Sequence, residues 1–479
     1  MQNSHYLLRF IILTGILSGV FFTSCKKETF YEKDDASLEI SKTTITFDTI
    51  FTTIGTVTQK FTVFNPHKGT VKTDIILVGG NASFFSVNVD GVPGTVFKGV
   101  EIPAKDSIFI FVKVNIHPNG GNTPMLIVDT LAFYTNGNRQ NVDLLACGED
   151  AIFIVADKVF NGRLPYKIVA EEGQTVRWKK DKPYVIYGYA AIDENAKLII
   201  EAGTQIYLHK GAGLWVSQDG CLHVDGTKEE PVVFQGDRRA FANESDYAQW
   251  DKIWINEGSQ DNIINYAIIK NAFVGIHTET RDYGMGNKLI LSNSIIKHSE
   301  LAGLLSWNYK IDAYNNVIYD CRQYCAALQI GLYDFRHNTI YNKSTGKREN
   351  PSVFLSDYYL MSSLEGNVQY TGTVKADFSN NIIYGNIAKE LRFDYGNAAN
   401  FDLKLKNCLI KMHDSLFYTL PSCSNVILNT DPMVNNESEH DFSLKDNSPC
   451  KGKGIFFGAI TTDITGAARS NPPSIGAYE

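Results

Sequence analysis

Basic clusters are missing from this chain. Its 479 residues hold 45 Lys and Arg against 52 Asp and Glu, a formal charge of −7. No segment is dense in basic side chains, so nucleic acid is not expected as a partner. Long apolar runs are missing too: the one uninterrupted weakly polar stretch, residues 10–22, is too short to span a bilayer comfortably. Cysteine is sparse. Apart from Cys25 there are Cys147, Cys221, Cys321, Cys325, Cys408, Cys423 and Cys450, an odd number that cannot all pair within the chain. Cys321 and Cys325 lie four apart with no second pair and no histidine set nearby, so no zinc site, and no metal site of any kind, is expected. Cys147, in an apolar strand, and Cys408, inside a repeat, read as small core residues.

What the chain does have is a repeat. Asn293-Ser-Ile-Ile-Lys, Asn315-Asn-Val-Ile-Tyr, His337-Asn-Thr-Ile-Tyr, Asn380-Asn-Ile-Ile-Tyr and Asn407-Cys-Leu-Ile-Lys are one cassette, and the first two steps (293 to 315 to 337) are 22 residues each. That is about one coil of a parallel β-solenoid, in which each coil buries its aliphatic side only against its neighbours. Asn residues at equivalent corners can bond to one another or to backbone, forming an internal ladder. The gap from His337 to Asn380 approaches two coils, with a polar loop at residues 342–350. Ile295 and Ile318 are expected to point into the core.

Ahead of the repeat the pattern is different. From residue 38 to about 150, runs such as Phe85-Ser-Val-Asn-Val89 and Ile108-Phe-Ile-Phe-Val-Lys-Val114 alternate with period two, separated by Asn65-Pro66, Asp90-Gly91 and Asn136-Gly137. This predicts an antiparallel β-sandwich without the Cys…Trp…Cys core of antibody domains. Residues 151–182 read as a connector into the solenoid domain, 151–479. Residues 25–37 read as a charged tether. Residues 1–24 read as a secretory signal.

Several of these stretches resemble known proteins. Thr23-Ser24-Cys25 is similar to the lipobox of bacterial lipoproteins, with Phe22 where Leu is usual, and implies that Cys25 is lipidated and becomes the mature N-terminus. The alternative is a plain cleaved signal with an incidental cysteine. Asn65-Pro66, Asp106-Ser107 and the stretch Ala146-Cys-Gly-Glu-Asp-Ala151 resemble the Ig-like front domain of Bacteroidota lipoproteins. Pro183-Tyr-Val-Ile-Tyr-Gly-Tyr189, Gly213-Leu-Trp-Val216 and Gln249-Trp-Asp-Lys-Ile-Trp-Ile-Asn256 resemble their right-handed parallel β-helix, pectate-lyase-like in fold. Ile475-Gly-Ala-Tyr-Glu479 looks like the terminal coil of secreted β-helix proteins, with Ser474 where Asp is common. Asp48, Asp106, Asp129 and Asp414, each before Ser or Thr and an aliphatic, look like that phylum's O-glycosylation acceptors. The resemblance implies an all-β chain held by lipid on the outer membrane of the cell envelope, and it implies little about activity.

Candidate chemistry lies on the middle coils. Asp312 and Asp334, 22 apart, are expected to stack on one face with Lys310 and Arg336 beside them, and Asp320, Arg322 and His337 close by. A lyase or glycosidase acting on acidic polysaccharide would draw its base, acid and cation from this set, with calcium as cofactor only in the lyase case. The bland alternative is a solvated face that alternates charges for solubility. Trp307, Tyr309 and Tyr314, with Arg336, are the expected sugar-stacking and acid-binding residues. Trp215 and Trp254, flanked by aliphatics, are expected in the core, and His223 and His277 as hydrogen-bonded structural histidines. With no Asp-Asp cluster, Arg-Pro motif or His/Glu metal spacing, glycan or surface binding without catalysis is the expected role, and turnover of an acidic glycan the alternative.

Overall fold

The computed structural model describes residues 29–51, 58–114, 125–161, 164–237, 246–280, 288–343, 348–363, 366–412 and 422–479. The leader, Cys25 and Asp414 lie outside these residues, as do the side chains of Asp48 and Cys147. The chain divides into two compact units, ending at Glu149 and beginning at Asp150.

Unit 1 is a pair of five-stranded sheets. One orders Glu39–Ile40, Gln59–Phe64, Ser107–Val114, Phe85–Val89 and Val92–Gly94. The other orders Thr44–Phe51, Asn138–Glu149, Met125–Thr135, Val71–Leu77 and Val96–Ile102. Period-two alternation buries Ile108, Ile110, Val112 and Val114 from one sheet and Val71, Ile75 and Leu77 from the other in a shared core. One pairing departs from the antiparallel expectation: Thr44–Phe51 runs parallel to Asn138–Glu149. These strands are joined through the rest of the unit and not by a hairpin, so nothing forces them antiparallel.

The tether reading is corrected from Thr29 onward. Tyr31 N–H donates to Thr70 O at 2.9 Å, Tyr31 stacks on His67 at 4.0 Å, and Ala36 is fully buried. Asn136 and Asn138 donate to the carbonyls of Tyr31, Lys33, Asp34 and Ala36. Paired backbone of this kind belongs to the sandwich.

Unit 2 is a parallel β-helix with three faces. Face I is an eleven-stranded parallel sheet, and an eighteen-stranded sheet bends over faces II and III. Ala302–Tyr314 shows the bend, pairing first with Val274–Glu279 on face II and then with Lys288–Ser292 on face III. Asn308, at φ +53°, turns the corner. The supposed connector already belongs to the stack, since Ile152–Val155 pairs with Tyr184–Tyr187 and Leu164–Ala170 with Tyr189–Ile192.

The cassette marks the corner from face III to face I. Asn293, Asn315, His337, Asn380, Asn407 and Asn425 all have φ between +47° and +58°, the left-handed region that Asn, Asp and His enter most readily after Gly. Each corner then hands on hydrogen bonds. Asn316, Asn338 and Asn381, buried to 0–1% exposure, form the inner ladder. Asn338 Oδ1 accepts from Asn316 N and Nδ2, and Asn338 Nδ2 donates to Ala313 O and Asn381 Oδ1. An outer ladder joins Asn293 to Asn265 and Asn315 to Asn293. Cys408 closes the inner ladder as a buried thiol, accepting from Asn381 N. All six described cysteines are free.

After each corner the aliphatics split. Ile269, Ile296, Ile318, Ile340, Ile383 and Ile410 are in register and fill the interior. Each contributes about 1.5–3 kcal/mol by burial. Ile295 belongs to the other column, with Val317, Thr339, Ile382 and Leu409, on the outside of face I. A C-terminal strap covers that column: Val434, Phe442, Leu444, Cys450, Ile475 and Ala477 pack on Val317, Ile382 and Leu409. This corrects the terminal-coil expectation. The last coil strand on face I is Ile427–Leu428, and the segment ending in Ile-Gly-Ala-Tyr-Glu lies across the outside. Gly476, at φ +103°, is required there, because a Cβ would stand 2.7 Å from Ile382 Cδ1. Between His337 and Asn380 there is one coil and not two. Most of the extra length is the hairpin of Tyr358–Ser363 with Gly366–Thr371, the rest is the longer connection from Asn342 to Val353, and Thr339–Asn342 pairs directly with Ile382–Gly385.

Candidate functional site: a charged groove on face III

Strict register across face III arranges the outward side chains in columns. The central column reads Ile290, Asp312, Asp334, Asp377 and Lys404, and beside it runs Lys288, Lys310, Leu332, Lys375 and Asp402. On the far side are Ser292, Tyr314, Arg336, Ser379 and Lys406. The alternate residues, among them Tyr333, Phe335, Ala376 and Phe378, face the core. Phe335 stacks on Phe378 at 4.8 Å, which fixes the strands carrying Asp334 and Asp377.

Three carboxylates directly opposite one another on adjacent strands repel, so the column costs stability. Cations offset part of it. Lys288 Nζ lies 2.5 Å from Asp312 and Lys406 Nζ 2.7 Å from Asp377. Arg336 Nε lies 3.1 Å from Asp334 Oδ1, but its N–H is not aimed at that oxygen and Nε makes no hydrogen bond. Partial burial lifts the Asp334 carboxyl above its ordinary pKa. Arg336 opposes the rise, while Asp312 and Asp377 add to it.

Lys310, Asp312, Leu332, Tyr333, Asp334, Lys375, Ala376, Asp377, Asp402 and Lys404 line an open groove of about 390 Å³. Neither Lys310 nor Lys375 has an ion pair among the described residues. The corner above the groove is tight: Gly331, at φ +125°, leaves no room for a Cβ, which would stand 2.3 Å from Tyr309 O.

The structure therefore brings Lys310, Asp312 and Asp334 together, with Arg336 at the flank over the rings of half-buried Tyr314 and of Phe457 (5.9 and 6.0 Å). It separates the aromatic candidates. Tyr309 is a core residue, 2% exposed, bonded through its hydroxyl to Ser259 and Asn262. The left-handed turn at Asn308 breaks the alternation, so Tyr309 leaves the side that Trp307 occupies. Trp307 is covered by Tyr359, stacked at 5.1 Å, and abutted by His277 at 4.6 Å. One of its faces is taken by Tyr359, and the residue is only partly exposed. Asp320 sits at the corner from face I to face II, Arg322 pairs with Glu300, and His337 is fully buried against Asn380.

Two other aromatic expectations change. Trp215 and Trp254 lie half-buried outside face II, stacked at 5.8 Å, with Phe160 and Tyr166 against Trp215. Trp250 is buried, as is Trp178, and donates to Lys270 O at 2.8 Å. His223 bonds to Asp261 O, whereas His277 makes no hydrogen bond through either ring nitrogen.

Sequence reading missed Asp377, Lys375, Asp402 and Lys404. A signal for them existed, because the central column stands three residues before each cassette: Asp312 before Asn315, Asp334 before His337, Asp377 before Asn380 and Lys404 before Asn407. The inserted hairpin hid it by breaking the 22-residue step.

Calcium, called for only in the lyase case, does not fit this donor set. Each carboxylate of the column already has a cationic side chain beside it, whereas a calcium cage needs several uncommitted oxygens.

Among known proteins, residues 170–272 match a family model described as a pectate-lyase like β-helix domain. The match spans early coils and ends before Asp312. No curated protein matches the chain. Two solved structures overlap with parts of it. One is the ASH/PapD-like domain of human CEP192, at 12% identity and TM-score 0.17, covering 27% of this chain and 94% of that one. The other is a family 123 glycoside hydrolase from Clostridium perfringens, at 9% identity and TM-score 0.19, covering 30% of each chain. At such scores neither bears on the activity of this chain.

Proposed function

We propose that face III of the β-helix binds an acidic polysaccharide, with sugar hydroxyls donating to Asp312, Asp334 and Asp377 and sugar carboxylates meeting Lys310 and Lys375. The supporting observation is the column of three in-register carboxylates kept beside two lysines without ion pairs in an open groove, an arrangement that costs the sheet stability. The match of early coils to a pectate-lyase-like domain agrees with a carbohydrate-related role. Calorimetry with an oligouronate and a neutral oligosaccharide of equal length tests the reading. The oligouronate should bind, and Lys310→Ala and Lys375→Ala should each weaken it about tenfold, the scale of one charge-assisted hydrogen bond. Equal affinity in both variants and wild type would sink it.

One observation favours turnover as a second reading. Asp334 lies one strand spacing, about 4.8 Å, from Asp312 and from Asp377, close to the roughly 5–5.5 Å that separates the acid from the nucleophile in retaining hydrolysis. Between them Asp334 holds its proton to higher pH than an ordinary carboxyl, as a general acid must. New reducing ends that vanish in Asp334→Asn would establish it, and their absence with every acidic glycan would leave binding alone.

The proposal sets the chain on the outer membrane through Cys25, a reading that rests on the leader sequence. Radiolabelled palmitate should enter the wild type and not Cys25→Ala, and equal labelling would remove the anchor.

A further inference from the structure

At the opposite edge of the helix, the corner from face I to face II has its own column. His298 follows Lys297 and Asp320 follows Tyr319, and Lys297 and Tyr319 are in register. His298 and Asp320 therefore occupy the same corner of adjacent coils, both left-handed, at φ +53° and +47°. The strap delivers a third residue, His440, held at φ +55° by the turn between Val434–Asn436 and Asp441–Leu444.

One ligand atom from each of the three, two imidazole nitrogens and a carboxylate oxygen, lies within 4.8 Å of the others. His440 Nδ1 is 3.4 Å from Asp320 Oδ2. The other oxygen, Oδ1, accepts from Lys343 N–H at 3.0 Å, which fixes the carboxylate's orientation. Tyr319 and Phe442, both nearly buried, wall the cluster, with the His440 ring 4.8 Å from that of Tyr319. His298 is 4% exposed, while the side chain of His440 is 37% exposed and leaves a route from solvent.

We propose that His298, Asp320 and His440 form a binding site for a divalent metal ion of the zinc class. Two imidazoles and one carboxylate form a donor set suited to zinc, and too rich in nitrogen for calcium or magnesium. A tetrahedral zinc with bonds of about 2.0–2.1 Å needs its ligand atoms about 3.4 Å apart, so side-chain rotation from the present spacing completes the set. A fourth position remains open to water or a ligand. Bound there, the ion links two coils to the strap and clasps it over face I.

The test uses the full chain, stripped with chelator and titrated with zinc, and with cobalt(II) as a spectroscopic probe. Wild type should take up one equivalent, show the visible bands of tetrahedral cobalt and unfold at a higher temperature with zinc than without. His440→Ala and His298→Gln should each lose the equivalent and the thermal shift. His440→Ala should keep the metal-free melting temperature of wild type, which separates a lost ligand from a lost fold. No uptake by wild type, or an equivalent retained in both variants and hence bound elsewhere, for example at a free cysteine, overturns the assignment.

Discussion

Single residues in this chain are read wrongly when polarity is judged without position. His337 looks like a candidate acid or base and His277 like a hydrogen-bonded structural histidine, yet burial pushes both down to about pKa 3, helped by Arg469 and Lys252 respectively. Their ordinary value is about 6.5, so the unfolded chain takes up these protons before the folded one does. Stability from each is complete above about pH 6.5, falls by roughly 1.4 kcal/mol per pH unit below that, and levels off near pH 3. His337→Asn restores the residue found at the same corner in Asn315 and Asn380. It should keep the fold and remove one histidine's share of the slope, as measured by denaturant midpoints between pH 7 and 4.5. An unchanged slope would show that His337 is not held neutral.

At the level of elements, the corner and the strand after it set the energetics. Asn338→Ala would strip the partners from Asn316 N–H and Ala313 O, both in a buried ladder, at roughly 1–3 kcal/mol for each group left unsatisfied. Ile318→Asp puts a charge among the inner column and should cost several kcal/mol. Ile295→Asp, half-buried beneath the strap, should cost clearly less. Thermal melts of the three variants check the order, and equal losses for Ile295→Asp and Ile318→Asp would contradict the two-column description. The two Ile positions are adjacent cassette members, and period two sends them to opposite sides of the sheet.

For the whole molecule, the strap covers the apolar outer column of the later coils on face I. Deleting residues 430–479 would uncover Val317, Tyr341, Ile382 and Leu409, a contiguous apolar surface of the kind that drives association. The truncated chain should bind a hydrophobic dye, melt earlier and form higher oligomers in light scattering. A monomeric product with the wild-type melting temperature would mean the strap is dispensable.

The sequence by itself determined the all-β class, the alternating strands ahead of residue 150 and the solenoid after it, because alternation and a 22-residue step are local properties of the chain. It also specified the corners, since Asn and His tolerate the left-handed conformation there. It placed Asp312 and Asp334 on one face because they are one 22-residue step apart. Only the tertiary structure extended that column to Asp377, across a hairpin whose length masks the coil step. Only the tertiary structure turned Tyr309 inward at Asn308, covered Trp307 with Tyr359 and brought His440 to His298 and Asp320. Each of these outcomes joins segments through packing between coils, strap and insertion, and no spacing along the chain encodes which distant surface a segment will cover.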